Sequence, residues 1–223
     1  MVNINISRRK MLHKASLLFT GALLPSGVFS LENKAMSSTL YAMALVPPPE
    51  LSAVCAAIRE QFDPAHSDKT FPHITLKQPF TLLDNPIIQE SVLLQATQQL
   101  CSQQPPLKVA LKQVGRFDSP THGSVVHVRV DLSPAFQQLQ QALVKKVAAV
   151  GCVTPHLSVE QEIKTYYPHL TLAQGLSPEA ATAMLDHDMR AVTEKSFLAD
   201  TVVVGRRDTN QVWQRIGVFP LLG

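Results

Sequence analysis

One five-residue phrase, Pro-His-aliphatic-Thr-Leu, is written twice in this chain: at residues 72–76, within FPHITLKQPF, and at residues 168–172, within YYPHLTLAQG. The surroundings of the two copies follow the same order. Ahead of the first copy, residues 39–46 (TLYAMALV) form an apolar run stopped by prolines, which predicts a buried strand. Residues 50–62 then place Leu51, Val54, Cys55, Ile58 and Phe62 at helical spacing. The His phrase itself spans a short extended segment, 71–80. A Gln-, Leu- and Ala-rich helix is predicted over 86–103, and an alternating strand over 107–117. The second series repeats this rhythm. It has a strand at 124–131 and a helix from Pro134, capped by Ser133, to about Val150. The His strand follows at 166–174, then a helix from Ser177-Pro178-Glu179 to about Val192, and strands at 200–206 and 212–221. Even the strands after the second helices carry a common Val-Gly-Arg, at 114–116 and 204–206. A chain that duplicates strand, helix, His-strand, helix, strand is expected to be an α+β protein. The expected form is bilobal with pseudo-twofold symmetry: two antiparallel-rich sheets facing a central cleft, with helices outside.

The 223 residues, 45% hydrophobic and 17% charged, suffice for one such domain, read as residues 36–223 with lobes near 39–117 and 124–221. The formal net charge of +3 comes largely from Arg8, Arg9, Lys10, Lys14 and Lys34, against Glu32 alone, in residues 1–35. The rest is near neutral and lacks the basic excess that drives binding to long nucleic acid. The stretch SRRKMLHKASLLFTGALL resembles a twin-arginine export signal, while Met36 offers an alternative start. The first reading exports the protein to the periplasm; the second, preferred here, keeps it cytoplasmic. The apolar run is too short for a membrane span, so no stable membrane association is expected. Cys55, Cys101 and Cys152 lack any pairing motif and read as buried, reduced thiols.

On a strand, residues i and i+2 share a face. His73 and Thr75 therefore project together, as do His169 and Thr171, and a pseudo-twofold brings both pairs to one cleft. An imidazole titrates near neutrality, so one can accept a proton while the other donates one. The threonine hydroxyls can hold non-bridging phosphate oxygens. This scheme calls for no metal and no cofactor. His66, His122, His127, His156 and His187 form no metal-ligand pattern.

Over roughly residues 39–220 the chain resembles the two-histidine phosphoesterase superfamily, the 2′-5′ RNA ligase-like and cyclic phosphodiesterase proteins. The resemblance rests on the two PH[IL]TL phrases, the YAMALVPPPEL opening and the element order of both halves. It implies metal-independent opening of 2′,3′-cyclic phosphates or 2′-5′ linkages on RNA ends or small nucleotides, possible in reverse as ligation. The resemblance casts His73 and His169 as acid and base, and Thr75 and Thr171 as phosphate contacts. Lys77-Gln78-Pro79-Phe80 after the first phrase sets the chain nearer a less characterised branch. No K-x-D-G motif for ATP-driven ligation is present.

Lys77, one alternation beyond Thr75, is a candidate phosphate contact, and Tyr166 a candidate base contact. Phe71 and Tyr167, also just before the phrases, could stack on a base or belong to the core. Arg116 and Arg206 are phosphate ligands or mere products of the repeat. Trp213 reads as packing, and His122 and His127 as surface or strand residues. The working unit is expected to be a monomer with a small nucleotide or an RNA end as partner. Two rivals stay open: a non-catalytic nucleotide- or RNA-end-binding module of the same fold, and hydrolysis of a non-nucleotide phosphodiester in the same cleft.

Overall fold

The computed structural model describes residues 39–83 and 86–223. The export-signal and late-start readings concern residues 1–35 and lie outside them. The first series comprises β1 (Leu40–Leu45), α1 (Pro49–Phe62), β2 (Ile74–Leu82), α2 (Pro86–Cys101) and β3 (Leu107–Ser119). The second comprises β4 (Gly123–Val130), α3 (Pro134–Ala149), β5 (Cys152–Val153), α4 (Val159–Lys164), β6 (His169–Leu176), α5 (Pro178–Leu185), β7 (Ser196–Ala199), β8 (Thr201–Arg207) and β9 (Trp213–Pro220).

The helix starts follow local chemistry. Ser133 and Ser177 each accept a bond from a backbone N–H three residues on, and each is followed by a proline at the first helical position. Ser158 and Gln161 form a reciprocal capping box that opens α4. The helix expected to reach Val192 stops at Leu185 instead. Asp188 accepts bonds from the Arg190 backbone N–H at 3.0 Å and from its guanidinium. That local pairing competes with helix propagation. Sequence reading also left out β5, α4 and β7, which are too short for periodicity to reveal.

Every strand pairing is antiparallel. The order is β7-β3-β4-β6-β2-β1-β8-β9, with β5 attached to β2. The two expected sheets are the two halves of this one curled sheet, joined where β2 and β6 share the register pair Ile74↔Leu170. Each half borrows from both repeats. β3 leaves the first repeat to pair with β4, and β8 leaves the second to pair with β1. The helices exchange in the same sense: α1 packs on β6, whereas α3 packs on β2.

One face of the sheet lies under the helices and carries the apolar core, including Met43, Leu45, Ile74, Leu76, Val126, Val128, Leu170 and Leu172. Alternation turns the intervening residues to the opposite, concave face. The three cysteines are free and buried. Among the described residues no helix is long and apolar enough to cross a membrane.

Candidate active site

The His phrases sit where the sheet halves join. His73 immediately precedes β2 and His169 opens β6. His73 Nδ1 lies 2.8 Å from the Phe71 carbonyl oxygen, and His169 Nδ1 lies 2.9 Å from that of Tyr167. A carbonyl can only accept, so each Nδ1 carries the hydrogen and donates it to the residue two positions back. Proton exchange is thereby assigned to Nε2 on both rings. Burial pushes His73 down to about 4, and the positive charge of Arg59 adds to the effect. His169 is also lowered by burial, with the Tyr167 carbonyl acting in the opposite sense.

Beyond Ile74↔Leu170 the two strands no longer pair, and the carbonyls of both motif threonines receive side-chain donors. Arg59, buried on α1, donates from Nη2 at 2.9 Å and Nε at 3.3 Å to the Thr171 carbonyl, and from Nη1 at 2.8 Å to that of Thr70. On the other side Tyr166 donates its hydroxyl to the Thr75 carbonyl at 2.7 Å. Arg59 also lines a small cavity of about 20 Å³ together with Asp63, His66, Thr70, His73, Thr171 and Gln174. That is about the space one water needs.

Two sequence expectations need correction. Tyr166 does not offer its ring to the cleft: it packs against Phe136 of α3 and spends its hydroxyl on Thr75. Lys77 does not share the Thr75 face. The register runs Ala44↔Thr75 and then Met43↔Lys77, so two β2 residues oppose one β1 step. This bulge breaks the alternation and turns Lys77 to the helix side. There its ammonium, 2% exposed, bonds Glu162 at 2.7 Å and also the Thr154 hydroxyl. The second motif has the matching bulge, with His127↔Thr171 followed by Val126↔Ala173.

The register also places residues that sequence reading passed over. His127, read as an ordinary strand residue, is the cross-strand partner of Thr171, where Ala44 partners Thr75 in the other half. Its ring is 1% exposed, stacks on Phe117 at 4.1 Å and meets His169 edge-on at 5.3 Å. Tyr167, 41% exposed, closes this aromatic wall, 5.6 Å from Phe117. Arg129 is the cross-strand neighbour of His169 and shares the His127 face by alternation. On the His73 side, Phe71 approaches edge-on at 5.7 Å, and the Arg215 guanidinium lies 4.3 Å above the Phe71 ring. The recurrent Val-Gly-Arg serves the cleft through its glycines. A Cβ on Gly115 would come within 3.1 Å of His127 Nε2, and one on Gly205 within 3.3 Å of Trp213. The arginines have other partners: Arg116 pairs with Asp118, and Arg206 with Glu90 of α2. The available signals were the alternation of residues 124–131, and a cation, Arg59, one helical turn from buried Cys55.

A separate pocket of about 400 Å³, lined by Tyr41, Ile87, Glu90, Arg206 and Gln211 among others, lies on the helix side of β1. No residue of the His phrases lines it. Among the described residues no group of three or more His, Cys, Asp or Glu side chains is placed to hold a metal ion.

Solved structures share this fold. LigT of E. coli complexed with 3′-AMP superposes with a TM-score of 0.58 at 16% identity, covering 83% of this chain and 99% of that one. TT0787 of Thermus thermophilus gives 0.55 at 16% identity, covering 82% and 98%. LigT complexed with NADP+ gives 0.53 at 17% identity, covering 83% and 99%. A search of curated proteins gives no match. The family model for the 2′-5′ RNA ligase superfamily matches residues 47–211. By that match, over well more than half its length, the chain belongs to the 2′-5′ RNA ligase superfamily.

Proposed function

We propose that this protein opens 2′,3′-cyclic phosphates or 2′-5′ phosphodiester linkages on small nucleotides or RNA ends by two-histidine acid–base catalysis. The observation that carries the reading is the matched pair of imidazoles. Each is fixed by the same Nδ1-to-carbonyl bond, on neighbouring strands, with Nε2 left as its proton-exchanging atom. In the opening step a water attacks phosphorus while one Nε2 takes its proton. The other Nε2–H protonates the leaving ribose oxygen as the P–O bond breaks. Thr75 and Thr171 donate their hydroxyls to the non-bridging oxygens, and Arg129 lies on the strand beside them. The Arg59 charge acts on His73 and favours its neutral form, so His73 is assigned as base and His169 as acid in this direction. The approaching phosphate anion favours the protonated acid. With a 5′-hydroxyl in place of water the same geometry ligates. One ring takes the hydroxyl proton, the new P–O bond forms, and the ribose 3′-oxygen leaves protonated by the other ring. The result is a 2′-5′ linkage whose reversal exchanges the two roles. Solved structures of LigT contain 3′-AMP, NADP+ and ATP, which supports a nucleotide as the ligand class here.

The test is turnover of 2′,3′-cyclic nucleotides and a cyclic-phosphate-ended oligonucleotide in EDTA, for wild type, His73→Ala and His169→Ala. Loss of about 10²-fold or more in kcat in each variant is expected. Binding without turnover in wild type would replace catalysis by the binding-module reading. Activity that EDTA abolishes would sink the proposed mechanism.

A further inference from the structure

The described arginines differ in their partners. Three are paired with carboxylates: Arg206 bonds Glu90 at 3.1 Å, Arg116 bonds Asp118 at 3.2 Å and Arg190 bonds Asp188 at 2.6 Å. Arg59 is spent on backbone carbonyls. Arg207 and Arg215, on the β8–β9 hairpin, have no carboxylate partner among the described residues and lie over aromatic rings instead. Arg207 stands 5.9 Å from the Trp213 ring and Arg215 4.3 Å from the Phe71 ring. The hairpin is held against the loop leading to His73, because the Trp213 backbone N–H donates to the Lys69 carbonyl at 2.9 Å. The steps from His73 to Phe71, 5.7 Å, and from Phe71 to Arg215, 4.3 Å, leave the Arg215 guanidinium no more than 10 Å from the His73 ring. A guanidinium resting on a ring keeps its N–H edge available for a bidentate oxyanion. An unneutralised cation this close to the site, with a second on the same hairpin, marks a place for an anion. On the proposed reading the reacting phosphate is already served by two imidazoles and two hydroxyls. Arg215 lies to one side of it, past Phe71, and Arg207 stands on the partner strand of the same hairpin, where it also lines the pocket of about 400 Å³.

We propose that the cleft is built for substrates carrying a second phosphate, held by Arg215 and Arg207 while the reacting phosphodiester lies between His73 and His169. This rests on the reading of those histidines as the reacting centre. The second phosphate is either the internal linkage of a cyclic-phosphate-ended chain of two or more nucleotides, or a phosphomonoester on the same nucleotide. The wall on the His169 side, Tyr167 with Phe117 and the neutral His127, takes the base next to the cyclic phosphate.

The experiment compares kcat/KM for adenosine 2′,3′-cyclic phosphate, its 5′-phosphorylated form, and the dinucleotide ending in a 2′,3′-cyclic phosphate. Wild type should prefer at least one second-phosphate substrate by about tenfold or more at low salt. The preference should shrink as salt is raised. Whichever of the two gains more identifies the source of the phosphate. In Arg215→Gln and Arg207→Gln the ratio should collapse towards one, and Arg215→Lys should retain part of it. Equal kcat/KM on all three substrates, or a ratio unmoved in the double Gln variant, would overturn the proposal. Turnover of the mononucleotide reports separately on the histidine reading. If nothing is turned over, dissociation constants of the same three ligands give the same ratio and decide the second-phosphate proposal in the same way.

Discussion

His127 is buried as a neutral ring: burial pushes it down to about 3, with the charge of His169 adding to the shift. The ordinary imidazole value is about 6.5. Between those two values the unfolded chain binds a proton that the folded chain refuses. The stability is therefore fully present above about pH 6.5 and falls as the pH drops towards 3. The slope is roughly 1.4 kcal/mol per pH unit from this ring alone. His127→Phe should lose roughly 2–3 kcal/mol less than wild type between pH 7 and pH 4.5. Urea midpoints at the two pH values check this, and an identical drop in both proteins would clear His127 of the acid response. Arg59 gives a catalytic counterpart. Removing its charge in Arg59→Met should raise the His73 value and move the acid limb of the kcat/KM profile to higher pH, whereas Arg59→Lys should hold the limb nearer wild type. A merely structural Arg59 would lower the rate without moving the limb. Neither residue's importance is visible in the sequence alone, because His127 depends on what the register sets opposite it and Arg59 on the packing of α1 against β6.

At the scale of elements, the paired bulges separate what alternation could foresee from what it could not. Up to Thr75 and Thr171 the backbone register follows the period-two rule on both strands. One residue further the rule breaks, and Lys77 is delivered to Glu162 instead of the cleft. Breaking that buried pair from one side, as in Lys77→Met, should cost about 3–5 kcal/mol by leaving Glu162 charged without its cation, held only by the Gln78 backbone N–H and the Thr154 hydroxyl. Lys77→Met combined with Glu162→Leu should recover much of the loss. Chemical denaturation of the single and double variants decides the matter. A single variant as stable as wild type would mean that the ion pair is not what holds α4 against β2. The helix starts at Pro134 and Pro178 were legible because a serine cap and a proline are local chemistry. The short α5 was not, since its stop depends on an Asp188–Arg190 pairing that looks like ordinary helix surface in sequence.

For the whole molecule, the duplication could be read from the repeated phrase, but the exchange of strands could not. Nothing in β3 or β8 announces that each will pair with the other repeat. A chain cut in the turn between β3 and β4 should therefore yield two pieces, neither with a complete half-sheet. Residues 36–121 alone should show no cooperative unfolding transition, and mixing them with 122–223 should restore one. A folded, cooperative 36–121 fragment would contradict the exchanged topology.

The same exchange bears on how one protein comes to have two different histidines. Two identical chains trading a strand and a helix would give a symmetric dimer whose imidazoles are equal by construction, with equal affinity for a proton. Joining the copies into one chain lifts that equality, because each position of the repeat can then vary on its own. Ala44 stands where the other half has His127, and the threonine carbonyls are held by a cation on one side and a phenol on the other. On the proposed mechanism, the division of labour between the two rings would follow from covalent linkage: a fused pair can hold one imidazole neutral and leave its twin to carry the proton.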